Sequence, residues 1–184
     1  MKIELKNIKV NLAFSEETTM FKADVFVNGK KVAFAENDGH GGCTHYNRYP
    51  DKDNSNLAIL KQAEEFAKTL PSTICEIGSG KTFEINSTLE NLIDTMINDF
   101  VNHKDKLKFE KKLNKAMETK IVWGKPNGDS FKSWGWKIPI KSVLLTPKGV
   151  DIARDLYNRV KLELKEGEVI FNTDLVELFD TVKS

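Results

Sequence analysis

Hydrophobic and polar positions alternate along the N-terminal stretch with the two-residue period of strands. Ile3 and Leu5 begin one run, and Ile8, Val10, Leu12 and Phe14 continue it after a change of parity across Lys6-Asn7. A β-bulge at that step keeps a single face toward the core. Ser15-Glu16-Glu17-Thr18-Thr19 breaks the alternation as a polar turn, and Phe21, Ala23, Val25 and Val27 form a second run. Asn28-Gly29 follows at once, a pair that tolerates the positive φ angles of a type I′ hairpin turn. A third strand is predicted from Lys30 to about Glu36, with Val32 and Phe34 on one face. The pattern predicts a three-stranded antiparallel meander.

The period then changes. A glycine-containing loop is predicted from Asn37 to Asn54. From Ser55 to Leu70, residues Leu57, Leu60, Ala63, Ala67 and Leu70 recur at helical spacing, widened by Ile59 and Phe66. Asp53, Asn54 or Ser55 caps this helix and Pro71 closes it. It would cover the apolar face of the meander. Ser87-Thr88-Leu89-Glu90 reads as a capping box, leading into Leu92, Ile93, Met96, Ile97, Phe100 and Val101. After Asn102-His103 the phase slips, and Leu107, Phe109, Leu113 and Met117 predict a second helix or a bent continuation. Thr119 to Trp123 and Trp134 to Ile140 read as strands joined by a polar stretch from Lys125 to Ser133. Thr146-Pro147 opens a further helix, Gly167 ends it, and a short strand at Val169 to Phe171 precedes Asn172 to Val182. The fold class is α+β: a sheet-plus-helix region over 1–71, a connector over 72–86 and a helix-rich region with a small sheet over 87–184.

Composition narrows the function classes without choosing one. The chain of 184 residues is 40% hydrophobic and 30% charged, too apolar for a disordered segment. Its formal net charge of +1 supplies no global attraction to nucleic acid or to an anionic membrane. Apolar runs fall far short of the roughly 20 residues that cross a bilayer. Met1-Lys2-Ile3-Glu4-Leu5-Lys6 alternates charge with apolar groups, unlike a signal peptide, so a cytoplasmic protein is expected. Cys43 and Cys75 are the only cysteines, too few for a disulfide framework.

Three segments carry candidate chemistry. Gly78-Ser79-Gly80-Lys81-Thr82 looks like the end of a P-loop, but Cys75 stands where that loop needs its first glycine. A polar turn accounts for it better. The segment from Asn37 to Tyr49 is richer, and its candidate ligand-binding residues are Asp38, Gly39, His40, Gly41, Gly42, His45, Tyr46 and Arg48. Converging glycine amides with an arginine and tyrosines suit a phosphate-bearing, nucleotide-like ligand. Asp38, His40, Cys43 and His45 lack a second ligand cluster to close a zinc site, so neither a metal nor another cofactor is expected. Finally Lys104, Lys106, Lys108, Lys111, Lys112 and Lys115 offer a basic helix to nucleic-acid phosphates. A helix that is acidic early and basic late follows the helix dipole without any ligand.

Ser15-Glu16-Glu17-Thr18, Phe21-Lys22-Ala23, Val27-Asn28-Gly29-Lys30-Lys31-Val32, Asn37-Asp38-Gly39-His40-Gly41-Gly42, Thr88-Leu89-Glu90-Asn91-Leu92-Ile93 and the lysine-rich helix together resemble a family of short hypothetical proteins of bacteriophages and bacterial mobile elements. The resemblance implies an accessory protein of the host cytoplasm, one that binds a host defence factor or a small phosphate-bearing ligand. It brings no assigned active site. The expected function is therefore non-enzymatic binding through the 37–49 segment, with a host protein or a nucleotide-like molecule as partner. The alternatives are a phosphoester-cleaving enzyme using His40, His45 and Asp38, and nucleic-acid binding through the lysine-rich helix. No membrane partner is expected, and a homo-oligomer is compatible with the sequence.

Overall fold

A computed structural model describes residues 1–77 and 80–180. It divides into two compact units, Met1–Asn102 and His103–Ser184.

The first unit is built on a four-stranded antiparallel sheet of sequential order. β1 (Ile3–Val10) pairs with β2 (Phe21–Val27) in a register that slips by one residue between Lys6 and Lys9. Asn7 takes up the slip with φ of +52°. Ile3 and Leu5 before this bulge, and Val10 after it, stand opposite Val27, Val25 and Phe21, so one apolar face survives as the parity change predicts. Asn28 and Gly29 adopt φ of +49° and +83°, the positive pair a type I′ turn requires, and lead into β3 (Lys30–Asn37). A single 3-10 turn at Leu12–Phe14 lies between β1 and β2.

Two expectations fail here. The meander has a fourth strand, β4 (His45–Arg48), inside the segment predicted as loop. Its four residues are too short for alternation to register, and only its pairing with β3 defines it. Val32 and Phe34 do not share a face. Val25 pairs with Ala33 while Phe26 pairs with Lys31, which leaves Val32 as a second bulge. That extra residue turns Val32, Ala33 and Ala35 to the core and sends Phe34 to the other side.

α1 (Ser55–Lys68) covers the inner face and packs on β2, β3 and β4. It is rotated from the predicted stripe: Asn56, Leu60, Ala63 and Ala67 are buried while Leu57 is exposed. Asp53, one of the expected caps, accepts from the Ser55 amide at 3.2 Å, and Asp51 adds to it, accepting from the Asn56 amide and the Ser55 hydroxyl, both at 2.8 Å. The 72–86 stretch contains a hairpin, β5 (Thr73–Ile77) with β6 (Lys81–Ile85). Gly78 and Ser79 of the P-loop-like segment lie outside the described residues, and Lys81 starts a strand, not the helix a P-loop demands. α2 (Leu89–Met117) is one continuous helix of 29 residues. No glycine or proline interrupts it, and its buried residues, Leu89, Ile93 and Ile97, all precede the phase slip at Asn102-His103. Leu89, Ile93 and Ile97 on its first turns complete the core with the sheet and α1.

In the second unit, β7 (Lys120–Gly124) runs between β8 (Lys132–Gly135) and β9 (Val169–Ile170), antiparallel to both. The strand expected from Trp134 to Ile140 ends at Gly135, and Ile140–Val143 forms a short helix, α3. α4 (Pro147–Glu163) is capped by Thr146, whose hydroxyl accepts from the Gly149 amide at 3.1 Å, with proline in the first turn as predicted. α5 (Thr173–Asp180) closes the unit, and residues 181 and 182 of the predicted last segment lie outside the described residues. Ile121, Trp123, Ile140, Tyr157, Val160 and Leu175 make the core. Asn172 staples it: Oδ1 accepts from the Val122 amide at 2.7 Å and Nδ2 donates to the carbonyls of Lys120 and Met117.

Candidate functional site

The candidate residues of the 37–49 segment separate once β4 forms. Successive residues of a strand point to opposite faces. Tyr46, opposite Ala35, turns inward and its hydroxyl donates to Glu64 of α1 at 3.1 Å. Burial, with Glu64 beside it, pushes the Tyr46 phenol up to about 12. His45, opposite Glu36, lies on the outer face with Phe34 and Asn47. Arg48 lies about 10 Å farther along the strand, with Asp51 at 3.6 Å. Only Asp38, Gly39, His40, Gly41 and Gly42 stay together at the end of β3.

Those five residues are organised by a side chain outside the candidate set. Asn37 is 6% exposed, and all of its hydrogen-bonding capacity is used locally. Its Oδ1 accepts from the Gly39 amide at 2.8 Å and from the Thr18 hydroxyl at 2.7 Å. Its Nδ2 donates to the Gly42 carbonyl at 2.9 Å and to Thr44 Oγ1 at 3.3 Å. The Gly39 carbonyl accepts from the amides of Glu16, Glu17 and Thr18 at 2.9, 3.1 and 3.3 Å. This strap holds the loop against the turn after the 3-10 segment. Gly39 needs its missing side chain, because with φ of +89° a Cβ would meet the Phe14 carbonyl at 2.6 Å.

Two further amides that could have cradled a phosphate are also engaged within the protein. Gly41 donates to Thr18 Oγ1 at 3.2 Å and His40 to Asp38 Oδ1 at 3.1 Å. His40 Nδ1 lies 3.1 Å from Glu16 Oε2, and that contact holds the imidazole above its ordinary pKa. The pair is open to solvent on both sides and stabilises little.

α2 supplies the other wall. Ser87 and Glu90 do not form the predicted capping box. Thr88 caps the helix by accepting from the Asn91 amide at 3.1 Å, and Ser87 donates to the Pro71 carbonyl at 2.7 Å. Glu90 is thereby released to accept from the Thr44 amide at 3.1 Å, while Asp94 accepts from the Thr44 hydroxyl at 2.5 Å. Burial raises the Asp94 carboxyl above its usual range; the Thr44 hydrogen bond opposes the shift and Glu90 adds to it. Between loop and helix lies a depression of about 270 Å³, lined in part by Glu17, Gly42, Cys43, Glu90, Asp94 and Asn98. Cys43 is an exposed free thiol. Glu17, Glu90 and Asp94 make the lining acidic. Leu12 and Phe14, in the 3-10 turn that precedes Glu16, are 49% and 63% exposed. Nothing in the local sequence around the glycines announces Glu90 or Asp94, whose side chains arrive from 46 and 50 residues away.

The two histidines of the hydrolase alternative fall on different parts of the unit. Among the described residues no group of three or more His, Cys, Asp or Glu side chains is placed to hold a metal ion. No helix among the described residues is long and apolar enough to cross a membrane. The six lysines of the basic segment lie on the second half of α2, where Lys108 pairs with Asp105 at 2.9 Å and Lys112 lies 5.7 Å from the Phe131 ring centroid. Comparison with protein-family models, with curated proteins and with solved structures finds no match.

Proposed function

We propose that this protein is a non-enzymatic accessory protein that docks a basic surface of a partner protein on the loop end of its first unit. The observation that carries the reading is that exposed Leu12 and Phe14 closely precede Glu16 and Glu17, whose amides strap the Asp38-Gly39 loop through the Gly39 carbonyl. Interfaces place aromatic anchors at the centre and charge at the rim. A ring held on a pre-ordered loop loses little entropy on binding. The carboxylates favour lysine and arginine on the partner and raise the rate of encounter. A phosphate group brought to the same loop would meet engaged amides and like charge, which argues for a protein over a phosphate-bearing small molecule. The resemblance to short phage proteins suggests a host defence factor as the partner.

The test is affinity capture from a bacterial lysate with identification by mass spectrometry, followed by binding measurements on the purified candidate. Phe14→Ser and the pair Glu16→Lys, Glu17→Lys should each weaken binding at least tenfold while the circular dichroism spectrum stays unchanged. Binding indifferent to both variants would remove the loop end as the docking surface. Calorimetric heat from nucleotides, lost in Gly41→Val, would instead restore the small-ligand reading.

A further inference from the structure

The sheet has a second face. α1 and the first turns of α2 occupy the inner side, and the register puts Lys6, Lys9, Lys22, Phe26 and Phe34 on the opposite one. Tyr49 follows β4, and its ring joins this face, 5.8 Å from that of Phe34 at an interplanar angle of 53°. The Lys6 ammonium sits 4.5 Å from the Phe26 centroid.

Cross-strand charge on this face is unfavourable for the fold itself. Lys9 stands directly opposite Lys22, and like charges in that relation destabilise a sheet. Glu36 relieves Lys22 at 3.0 Å. Lys9 has no ion-pair or hydrogen-bond partner among the described residues. The two lysines, Asn7, Asp24, Phe34 and Tyr49 contribute to the walls of a shallow depression of about 350 Å³. Aromatic rings at the centre and cations at the edge describe a ligand that is planar and anionic.

We infer that this outer face binds single-stranded nucleic acid. Bases stack on Phe34, Tyr49 and Phe26, a contact open only to bases already out of a duplex. Lys6, Lys9 and Lys22 meet backbone phosphates and release counterions from them. Asp24, whose carboxylate accepts from the Tyr49 hydroxyl and from Asn7, holds the Tyr49 ring in place for stacking. Lys6 and Lys31, which cover the Phe26 and Tyr49 rings at 4.5 and 4.3 Å, swing from ring to phosphate as a base enters. The inference uses different strands and side chains from the loop-end proposal and stands or falls separately.

Fluorescence anisotropy with short labelled single-stranded DNA and RNA of mixed sequence tests it on the full chain. Saturable binding that weakens with salt is expected. Phe34→Leu should reduce affinity roughly tenfold by loss of stacking. Lys9→Gln, which does not touch the core, should weaken binding and flatten its salt dependence. Lys111→Glu with Lys115→Glu on α2 should leave binding nearly intact. The inference is overturned if the wild type binds neither oligonucleotide, or if a mononucleotide binds as tightly as the oligonucleotides. It is also overturned if affinity follows the α2 variants and ignores Phe34 and Lys9. Loss of protein capture in Phe34→Leu, with no oligonucleotide binding in the wild type, would assign the face to a protein.

Discussion

Asp24 is the most strongly tuned carboxylate of the sheet, and its replacement by asparagine should remove a pH-dependent share of stability. The carboxylate accepts from the Tyr49 hydroxyl and from Asn7 Nδ2, both at 2.7 Å, and lies 2.9 Å from Lys31 Nζ. Together these contacts, the tyrosine first, lower the carboxyl from 3.8 to about 2. Such a difference between folded and unfolded chains is worth at most about 2.4 kcal/mol. Solvent screening on an open sheet face reduces it to about 1–2 kcal/mol. Because the folded value is depressed, the contribution is present above the unfolded pKa and fades as pH falls toward about 2. Asp24→Asn should therefore cost about 1–2 kcal/mol at pH 7, and the two proteins should converge at the acid end. Urea unfolding followed by far-ultraviolet circular dichroism across that range measures the difference. Tryptophan fluorescence would miss it, since Trp123, Trp134 and Trp136 all belong to the second unit. A stability difference that stays constant from neutral pH down to the acid limit would refute the assignment of the shift to these contacts.

Three further outcomes follow from the geometry. Asn37→Ala should destabilise the first unit by about 1–3 kcal/mol, since it strands Thr18, Gly39, Gly42 and Thr44 without their buried partner; faster hydrogen exchange at the Gly39 amide would report it. Asp94→Asn keeps an acceptor for Thr44 and removes a half-buried charge one turn from Glu90, so the midpoint at neutral pH should rise by at least the 0.2–0.5 kcal/mol or so of a like-charge pair on a helix. The raised carboxyl of Asp94 dictates the sign: the variant's advantage should shrink as pH falls and wild-type Asp94 becomes protonated. Gly149→Ala would put a Cβ 1.8 Å from the Val143 carbonyl, and a loss of about 3 kcal/mol or more, read by tryptophan fluorescence, is expected.

What the sequence made legible was whatever a local rule governs. Asn28-Gly29 requires a hairpin because of its own φ preferences, and the Lys6-Asn7 parity change requires a bulge if one face is to stay dry. Thr146-Pro147 caps α4 by the same kind of local logic. The failures are all non-local. β4 exists because β3 offers it an edge. Glu90 leaves its expected capping box because Thr88 takes the cap and Thr44 lies within reach. The candidate site was legible as a loop of glycines and polar groups but not as a structure. Asn37 ends an alternating strand like any polar residue, and only the packing shows that it takes up the Gly39 amide and ties the loop to Thr18 and Thr44.

The second bulge shows how a single unreadable residue bears on function. Val25 and Phe26 are consecutive, yet their partners on β3 are Ala33 and Lys31, so Val32 is unpaired. Without that insertion, strict alternation would put Val32 and Phe34 on one face and Lys31 and Ala33 on the other. An alanine-lined outer face would carry neither a ring nor a reason for its lysines. With the insertion, Val32 and Ala33 are both buried, and Phe34 emerges beside Tyr49. The Tyr49 amide donates to the Val32 carbonyl at 2.8 Å, so the bulge itself anchors the second ring of the pair. Bulges re-aim side chains at the rims of sheets. Here the same irregularity fills the core on one side and assembles the aromatic pair on the other. Deleting Val32 should leave Lys31 opposite Phe26, Ala33 opposite Val25 and Phe34 opposite Asp24 in an unbroken register. Where the sheet still forms, Phe34 should therefore stay on the outer face and oligonucleotide binding persist, weakened only by loss of the Tyr49 anchor.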